Sequence, residues 1–363
     1  METLEPSVHG YHDLKKGIPE FLAHADFSPK TFVKYPDKDT VLLKTSLFKR
    51  LQEAGYVDSF AVLSDTVIHD ALLRYQKDNK LTADGLIGKE TSNLLNRTDK
   101  DRFLSIAITM DRYKMMPEIM PEKYIVVNIP GYDMQLWEDD SVILKSRVVV
   151  GKPFTRTPVL NGAISEMITY PLWTIPASII EKEILPGLKK NPDYLEEKGY
   201  SLVDKEGEEV DPYLVDWSKF TKTIPYKVIQ GSGDANALGV LKFNFYNKYS
   251  VYLHDTNQRY YFSRSSRALS HGCVRVQKWD DLMYFILKND STVAVENNNR
   301  RFTSTDSVYR WLVRKEKHYV PVRNRIPLYI RYFTCAGKDG KIDFYDDIYS
   351  EDARIRDRYF AGK

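Results

Sequence analysis

Two histidines and a thiol stand close together in one stretch of the chain. His254 falls in Val251-Tyr-Leu-His-Asp-Thr, and Ser270-His-Gly-Cys-Val-Arg follows, so that Cys273 lies 19 positions after His254 and two after His271. A free thiol, with a pKa of about 8.5, is a weak nucleophile at neutral pH; an imidazole within reach takes its proton or steadies the thiolate. Glycine beside the thiol lets the backbone come close to a substrate, which makes the amides of Gly272 and Cys273 candidates to face a developing oxyanion. The stretch therefore offers a nucleophile, two candidate bases and a candidate oxyanion hole. Two plainer readings compete with this one. A cysteine is often an inert buried hydrophobe, and His254, His271 and Cys273 are all zinc-ligand types, although a fourth ligand and the usual spacing are missing. Neither a metal nor an organic cofactor is expected.

Strands should carry these residues. Apolar and β-branched runs predict strands over Tyr124–Ile129, Met134–Glu138, Val142–Val150, Ala163–Tyr170, Trp173–Ile175, Tyr226–Gln230, Gly239–Tyr246 and Ser250–His254, with Asp139-Asp140 at a hairpin turn. Between Ile179 and Pro225 the strand signals stop, and a charged helical and loop insertion is expected at 179–225. Helices follow at Trp279–Leu287 and Asp306–Lys317, then a hairpin over Pro327–Tyr345 turning at Gly337–Gly340. Ahead of the strands, Leu47, Phe48 and Leu51 mark one short helix. Val67, Ala71, Leu72 and Tyr75 mark a second, capped by Asp65, and Asp84-Gly85 and Gly88 lead into a third through Leu94 and Leu95. The expected fold class is thus α+β: a mainly β domain with an inserted helical segment, plus a small three-helix module.

Composition narrows the function class. The chain has 363 residues, 42% apolar and 28% charged, enough for a sizeable core and more than one domain. A net charge of +3 gives no bulk electrostatic case for nucleic acid. No run of about 18 apolar residues suggests a membrane span, and the first residues lack the pattern of an export signal. With two cysteines, Cys273 and Cys335, no disulfide framework can form. Cys335 reads as buried and inert. The basic stretch Arg300–Arg331 reads as a solvated face.

Against that background the motif Ser270-His271-Gly272-Cys273-Val274-Arg275, preceded by His254 and a loop, resembles the active site of the L,D-transpeptidases. Tyr124-Ile-Val-Val-Asn-Ile-Pro, Arg147-Val-Val-Val-Gly-Lys-Pro, Arg156-Thr-Pro, Ile184-Leu-Pro and Asn236-Ala-Leu-Gly are similar to segments of its large, lid-bearing branch. Leu172 stands where that branch commonly has an aromatic. Tyr75-Gln76 with Asp84-Gly-x-x-Gly-x-x-Thr resembles the helical peptidoglycan-binding domain.

The resemblance implies an arm at 1–41, a peptidoglycan-binding-like helical module at 42–97 and a helical linker at 98–123. A catalytic domain follows at 124–300 with its lid at 179–225, and a C-terminal helix and hairpin at 301–363 pack on it. It also implies an activity. Cys273 attacks a peptidoglycan tetrapeptide stem at the carbonyl of its third residue, D-alanine leaves, and the thioester passes to a side-chain amine of another stem as a 3-3 crosslink. An L,D-carboxypeptidase, or a wall-binding protein without chemistry, is the alternative. His254 is implied as base, with the backbone carbonyl of Asp255 orienting its ring, and His271 and Gly272 as further members of the catalytic group. Arg275 is implied either to hold the substrate carboxylate or to brace the loop through backbone carbonyls. Tyr252, Trp173, Asp255 and Ser270 are expected around the substrate. Stem peptides, glycan and carbapenem inhibitors are the implied partners, and the periplasm or cell wall the implied location.

Overall fold

In the computed structural model, which describes residues 5–79, 81–297 and 301–360, the chain divides into two units. One takes in the residues up to Met120, Ser263–Ser266 and those from Tyr332 onward; the other comprises Pro121–Phe262 and Arg267–Arg331.

The first unit contains helices α1 (His9–His24), α2 (Thr40–Glu53), α3 (Asp65–Asp78), α4 (Lys89–Asn96) and α5 (Asp99–Tyr113). Leu47 and Leu51 of α2, Ile68, Leu72 and Tyr75 of α3 and Leu95 of α4 share one apolar core. Val33 joins it from the segment expected to be an arm. Ser64, one residue before the expected Asp65, caps α3 by accepting from the Val67 N–H. The Asp-Gly turn is held by buried Gln76, whose amide accepts from the Gly85 N–H (2.8 Å) and donates to the Leu86 carbonyl (2.9 Å) and Asp84 (2.9 Å). Residues 9–24, within the expected arm at 1–41, are helical. They lack a clear apolar period and contain Pro19, and their partner is distant in sequence: the hairpin Cys335–Lys338/Lys341–Phe344. Contact there is at backbone range, since a methyl group on Gly337 would sit 2.0 Å from the Asp13 backbone. The C-terminal hairpin, expected on the catalytic domain, thus groups with the N-terminal helices.

The second unit contains β1 (Lys123–Asn128), β2 (Asp133–Glu138), β3 (Ser141–Gly151), β4 (Leu160–Thr169), β5 (Trp173–Thr174), α6 (Ala177–Ile179), α7 (Leu185–Lys190), α8 (Tyr194–Glu197), β6 (Tyr200–Val203), β7 (Lys227–Gln230), β8 (Leu241–Phe245), β9 (Leu253–His254), β10 (Ala268–Ser270), β11 (Val274–Val276), α9 (Trp279–Glu296), α10 (Thr305–Val313) and β12 (Tyr319–Arg331). Its main sheet runs β10-β3-β11-β9-β8-β4-β12-β1-β2, and β2 pairs back onto β3, which closes the sheet on itself. Closure leaves few free edges. Ile125, Met134, Val148, Phe243, Leu253, Val274 and Leu328 are 0% exposed on the inner face, as are Leu282 and Ile286 of α9. Each such side chain contributes about 1.5–3 kcal/mol on burial. Asp139 and Asp140 take positive φ (45° and 61°) at the β2–β3 turn, as a tight hairpin requires.

Two parts of this unit differ from expectation. Residues 327–331, read as one arm of the last hairpin, end the long central strand β12, which is parallel to β1 and antiparallel to β4. Pro321 and Pro327 disguise it in sequence. The register shifts between Pro321 and Ile326, and there Asp290 of α9 accepts the Arg323 and Asn324 N–H groups (2.9 and 2.7 Å). The insertion after Ser178, expected as charged helix and loop, also contributes a strand, β6. Strands β5, β7 and β6 form a small sheet, and Ile180, Ile184, Leu188, Leu202, Trp217 and Val228 build a core of its own.

Candidate active site

Strand pairing assembles the site before any side chain is considered. β9 lies between β8 and β11, with Lys242 opposite His254 on one side and Arg275 opposite it on the other. Alternation along the strands puts Tyr252 and His254, and Cys273 and Arg275, on one face, while Leu253, Phe243 and Val274 point into the core. A cavity of about 110 Å³ opens on that face. Tyr252, His254, Ser270, His271, Cys273, Arg275 and Trp173 line it, with Ile179 from the insertion.

His254 is 4% exposed, and its Nδ1 hydrogen-bonds the Asp255 carbonyl oxygen. A carbonyl can only accept, so Nδ1 carries the proton and Nε2 keeps its lone pair. Burial, then the charges of Arg275 and Lys242, push the His254 pKa down to about 3, against the pull of the Asp255 and Leu238 carbonyls. The Cys273 side chain is partly buried. Desolvation pushes its thiol pKa up, opposed by the Tyr252 amide and hydroxyl and by the charges of Lys242 and Arg275. At rest the site therefore holds a neutral thiol and a neutral imidazole on one face of the sheet.

The loop carrying Cys273 is fastened from both sides. Gly272 has φ 121°, a region closed to residues with a side chain, which is why glycine stands there. Thr157 donates to the Gly272 carbonyl (2.8 Å) and Thr155 to the Ser270 carbonyl (3.0 Å). Ser270 Oγ donates to the Cys273 carbonyl (2.6 Å) and accepts from the Gly272 N–H (3.1 Å). Two amides were expected to face an oxyanion; the Gly272 amide is spent on Ser270, and the Cys273 N–H makes no hydrogen bond among the described residues. Ser270 lines the cavity while both of these bonds stay within its own loop.

Asp255 also acts from behind. Its buried carboxylate accepts from the Val240 N–H and pairs with Arg259 (both 3.1 Å), and a Cβ on Gly239 (φ 64°) would meet it at 2.3 Å. The Asn236-Ala-Leu-Gly segment is thereby seated against β9. Arg275 donates to Gln258 (2.9 Å) and lies over the Tyr261 ring, while its Nε is buried without a partner. No carboxylate pairs with it among the described residues, and no backbone carbonyl braces it. Trp173 meets Tyr200 of the insertion edge to face at 6.3 Å.

Two participants were missed in sequence. Glu183, in the π-helical turn Ile180–Ile184, accepts a 2.6 Å contact from His271 Nε2 and so ties the insertion to the Cys273 loop. Lys242 lies within the strand expected over Gly239–Tyr246, in no motif that singles it out. Only strand register reveals its position. Among the described residues no cluster of three or more His, Cys, Asp or Glu side chains is placed to hold a metal, both cysteines are free, and no helix is long and apolar enough to cross a membrane.

Residues 122–295 match the family described as the L,D-transpeptidase catalytic domain. A Haemophilus influenzae protein whose name places it among the L,D-transpeptidases is 36% identical over 265 residues, 73% of this chain and 50% of that protein; the chain spans about half the length of that relative. Among solved structures, an L,D-transpeptidase from Mycobacterium smegmatis is 14% identical with a TM-score of 0.26, covering 58% of each chain. One from Stackebrandtia nassauensis is 15% identical with a TM-score of 0.24, covering 71% of this chain and 91% of that one.

Proposed function

Through residues 122–295 the chain belongs to the L,D-transpeptidase family, and from that premise we propose that it forms 3-3 peptidoglycan crosslinks by way of a thioester on Cys273. The observation that carries the reading is the shared sheet face: a thiol, a neutral histidine and an arginine without a carboxylate partner, all around one cavity. As Cys273 Sγ attacks the carbonyl of the third stem residue, His254 Nε2 takes its proton and the Cys273 N–H receives the developing oxyanion. Collapse breaks the bond to D-alanine, whose amine leaves with the proton from His254. The side-chain amine of a second stem then attacks the thioester, gives its proton to His254, and the thiol is restored. Arg275 is suited to hold a stem carboxylate, since guanidinium binds carboxylates through two parallel hydrogen bonds. Tyr252 and Trp173 form the walls.

The same reading gives the rest of the chain its work. The insertion, tied to His271 through Glu183, closes over the donor and excludes water, which favours transfer to an amine over hydrolysis. The helical module at 42–97 holds glycan, and the protein works in the periplasm or cell wall, where its stems are. Carbapenems, whose strained ring offers a carbonyl, acylate Cys273. Incubation with tetrapeptide stems, followed by mass spectrometry of the products, tests the function. A crosslinked dimer supports it, a trimmed tripeptide makes the protein a carboxypeptidase, and unchanged stems leave it a binding protein.

A further inference from the structure

β8 reads Leu241-Lys-Phe-Asn-Phe, and its apolar members point inward: Leu241 and Phe243 are 0% exposed and Phe245 6%. Lys242 therefore lies on the other face, where a lysine is ordinarily solvated and free to move. Here it is half-buried. Its Nζ sits 3.9 Å from the centre of the Tyr252 ring, within cation–π range, and strand register sets it opposite His254. No carboxylate forms an ion pair with it among the described residues. The acidic group that acts on it, Glu166, accepts instead from Asn244 at 2.8 Å. The ammonium is thus held on the pocket face by an aromatic ring.

We propose that Lys242 is an electrostatic positioning residue for Cys273 and His254: its charge steadies the sulfur anion formed during attack and, with Arg275 on the opposite side, reinforces the free-base form that burial already gives His254. The inference rests on the transpeptidase reading only for the reaction that this anion serves. The charged and titratable groups around Lys242 are Cys273, Glu166, Tyr252 and His254, with Arg275 beyond His254. Burial lowers the lysine's own pKa, while Cys273 and Glu166 raise it. Its influence is uneven. Lys242 acts on the thiol more than Arg275 does, whereas Arg275 acts on His254 more than Lys242 does. Removing the lysine charge makes both groups harder to deprotonate, so both limbs of a pH–rate profile move to higher pH. A change that only loosened packing would lower the rate without moving the limbs.

The test compares wild type, Lys242→Met and Lys242→Arg, each checked by circular dichroism, with Lys242→Gln replacing Lys242→Met if that variant does not fold. Iodoacetamide alkylation of Cys273, located by peptide mass spectrometry, is followed from pH 5 to 10, and carbapenem acylation is timed at pH 7. Lys242→Met is expected to move the alkylation profile up by about one pH unit, a roughly tenfold slower reaction at pH 7. Acylation should slow in step. Lys242→Arg should stay within about threefold of wild type on both measures. A Lys242→Met profile that superimposes on wild type overturns the inference, as does an arginine variant that falls as far as methionine. Alkylation reads the thiol whether or not the protein transfers acyl groups. A wild type inert toward stems would therefore sink the functional reading and leave this comparison intact.

Discussion

Protonating a histidine that is 4% exposed and flanked by two cations is costly, and the cost has a pH signature. The His254 pKa is pushed from its ordinary 6.5 down to about 3. The folded chain therefore keeps this ring neutral where the unfolded chain would bind a proton. Its contribution to stability is intact above pH 6.5 and is lost as pH falls from there toward 3. At 1.36 kcal/mol per pH unit, the loss between pH 7.5 and 4.5 is about 2.7 kcal/mol, on its way to about 5 kcal/mol in stronger acid. Other groups titrate too. Asp133, pushed up to about 6 by burial, contributes with the opposite sign, because a carboxyl that protonates more easily in the fold stabilises it as pH falls. A His254→Gln variant cancels these shared terms: glutamine can still donate to the Asp255 carbonyl but does not titrate. All five tryptophans, from Trp137 to Trp311, lie in the second unit, so their fluorescence reports its unfolding in urea. Wild type should lose roughly 2–3 kcal/mol more than His254→Gln between pH 7.5 and 4.5. Parallel losses would refute the buried neutral histidine, and with it the resting state assigned to the site.

Further outcomes follow from the same geometry. Gly272→Ala forces a side chain into a left-handed backbone position and should cost about 1–3 kcal/mol of stability while slowing Cys273 acylation at least tenfold, read by thermal melting and intact mass. His254→Ala should slow carbapenem acylation about 10²- to 10⁴-fold near neutral pH; a modest effect would move the base role to His271. Glu183→Ala removes a partly exposed pair worth no more than about 1 kcal/mol, so the fold should persist while amide exchange over residues 180–190 quickens. In wild type, an acyl inhibitor should slow exchange across 179–225, and unchanged protection there would make the insertion a structural prop. Phe60 and Val62, between α2 and α3, are 93% and 81% exposed; replacing both by serine should lower retention on isolated sacculi with acylation intact, and undiminished pull-down would remove the proposed glycan-binding role from the module.

What the sequence revealed depended on how local the cause was. His254 and the Ser270–Arg275 run are legible because their chemistry is packed into short motifs, and Asp139-Asp140 because a tight hairpin needs residues that tolerate positive φ. Helix α1 was hidden because what orders it, the 335–344 hairpin, is more than 300 residues away. β12 was hidden by two prolines that a bulge accommodates. The second amide of the expected oxyanion hole was lost to a hydrogen bond with Ser270, a matter of loop geometry that residue types do not encode. Lys242 follows the same rule, since only the pairing of β8 with β9 makes it a neighbour of His254.

Intact-protein mass after carbapenem treatment tests the central claim most directly, because the two free thiols differ so sharply in setting. Cys335 is 0% exposed, donates to the Ser105 carbonyl and has its pKa pushed up to about 12, whereas Cys273 borders a cavity beside a neutral base. The account predicts a single adduct, lost in Cys273→Ala and retained in Cys335→Ala; an adduct that survives Cys273→Ala would contradict it.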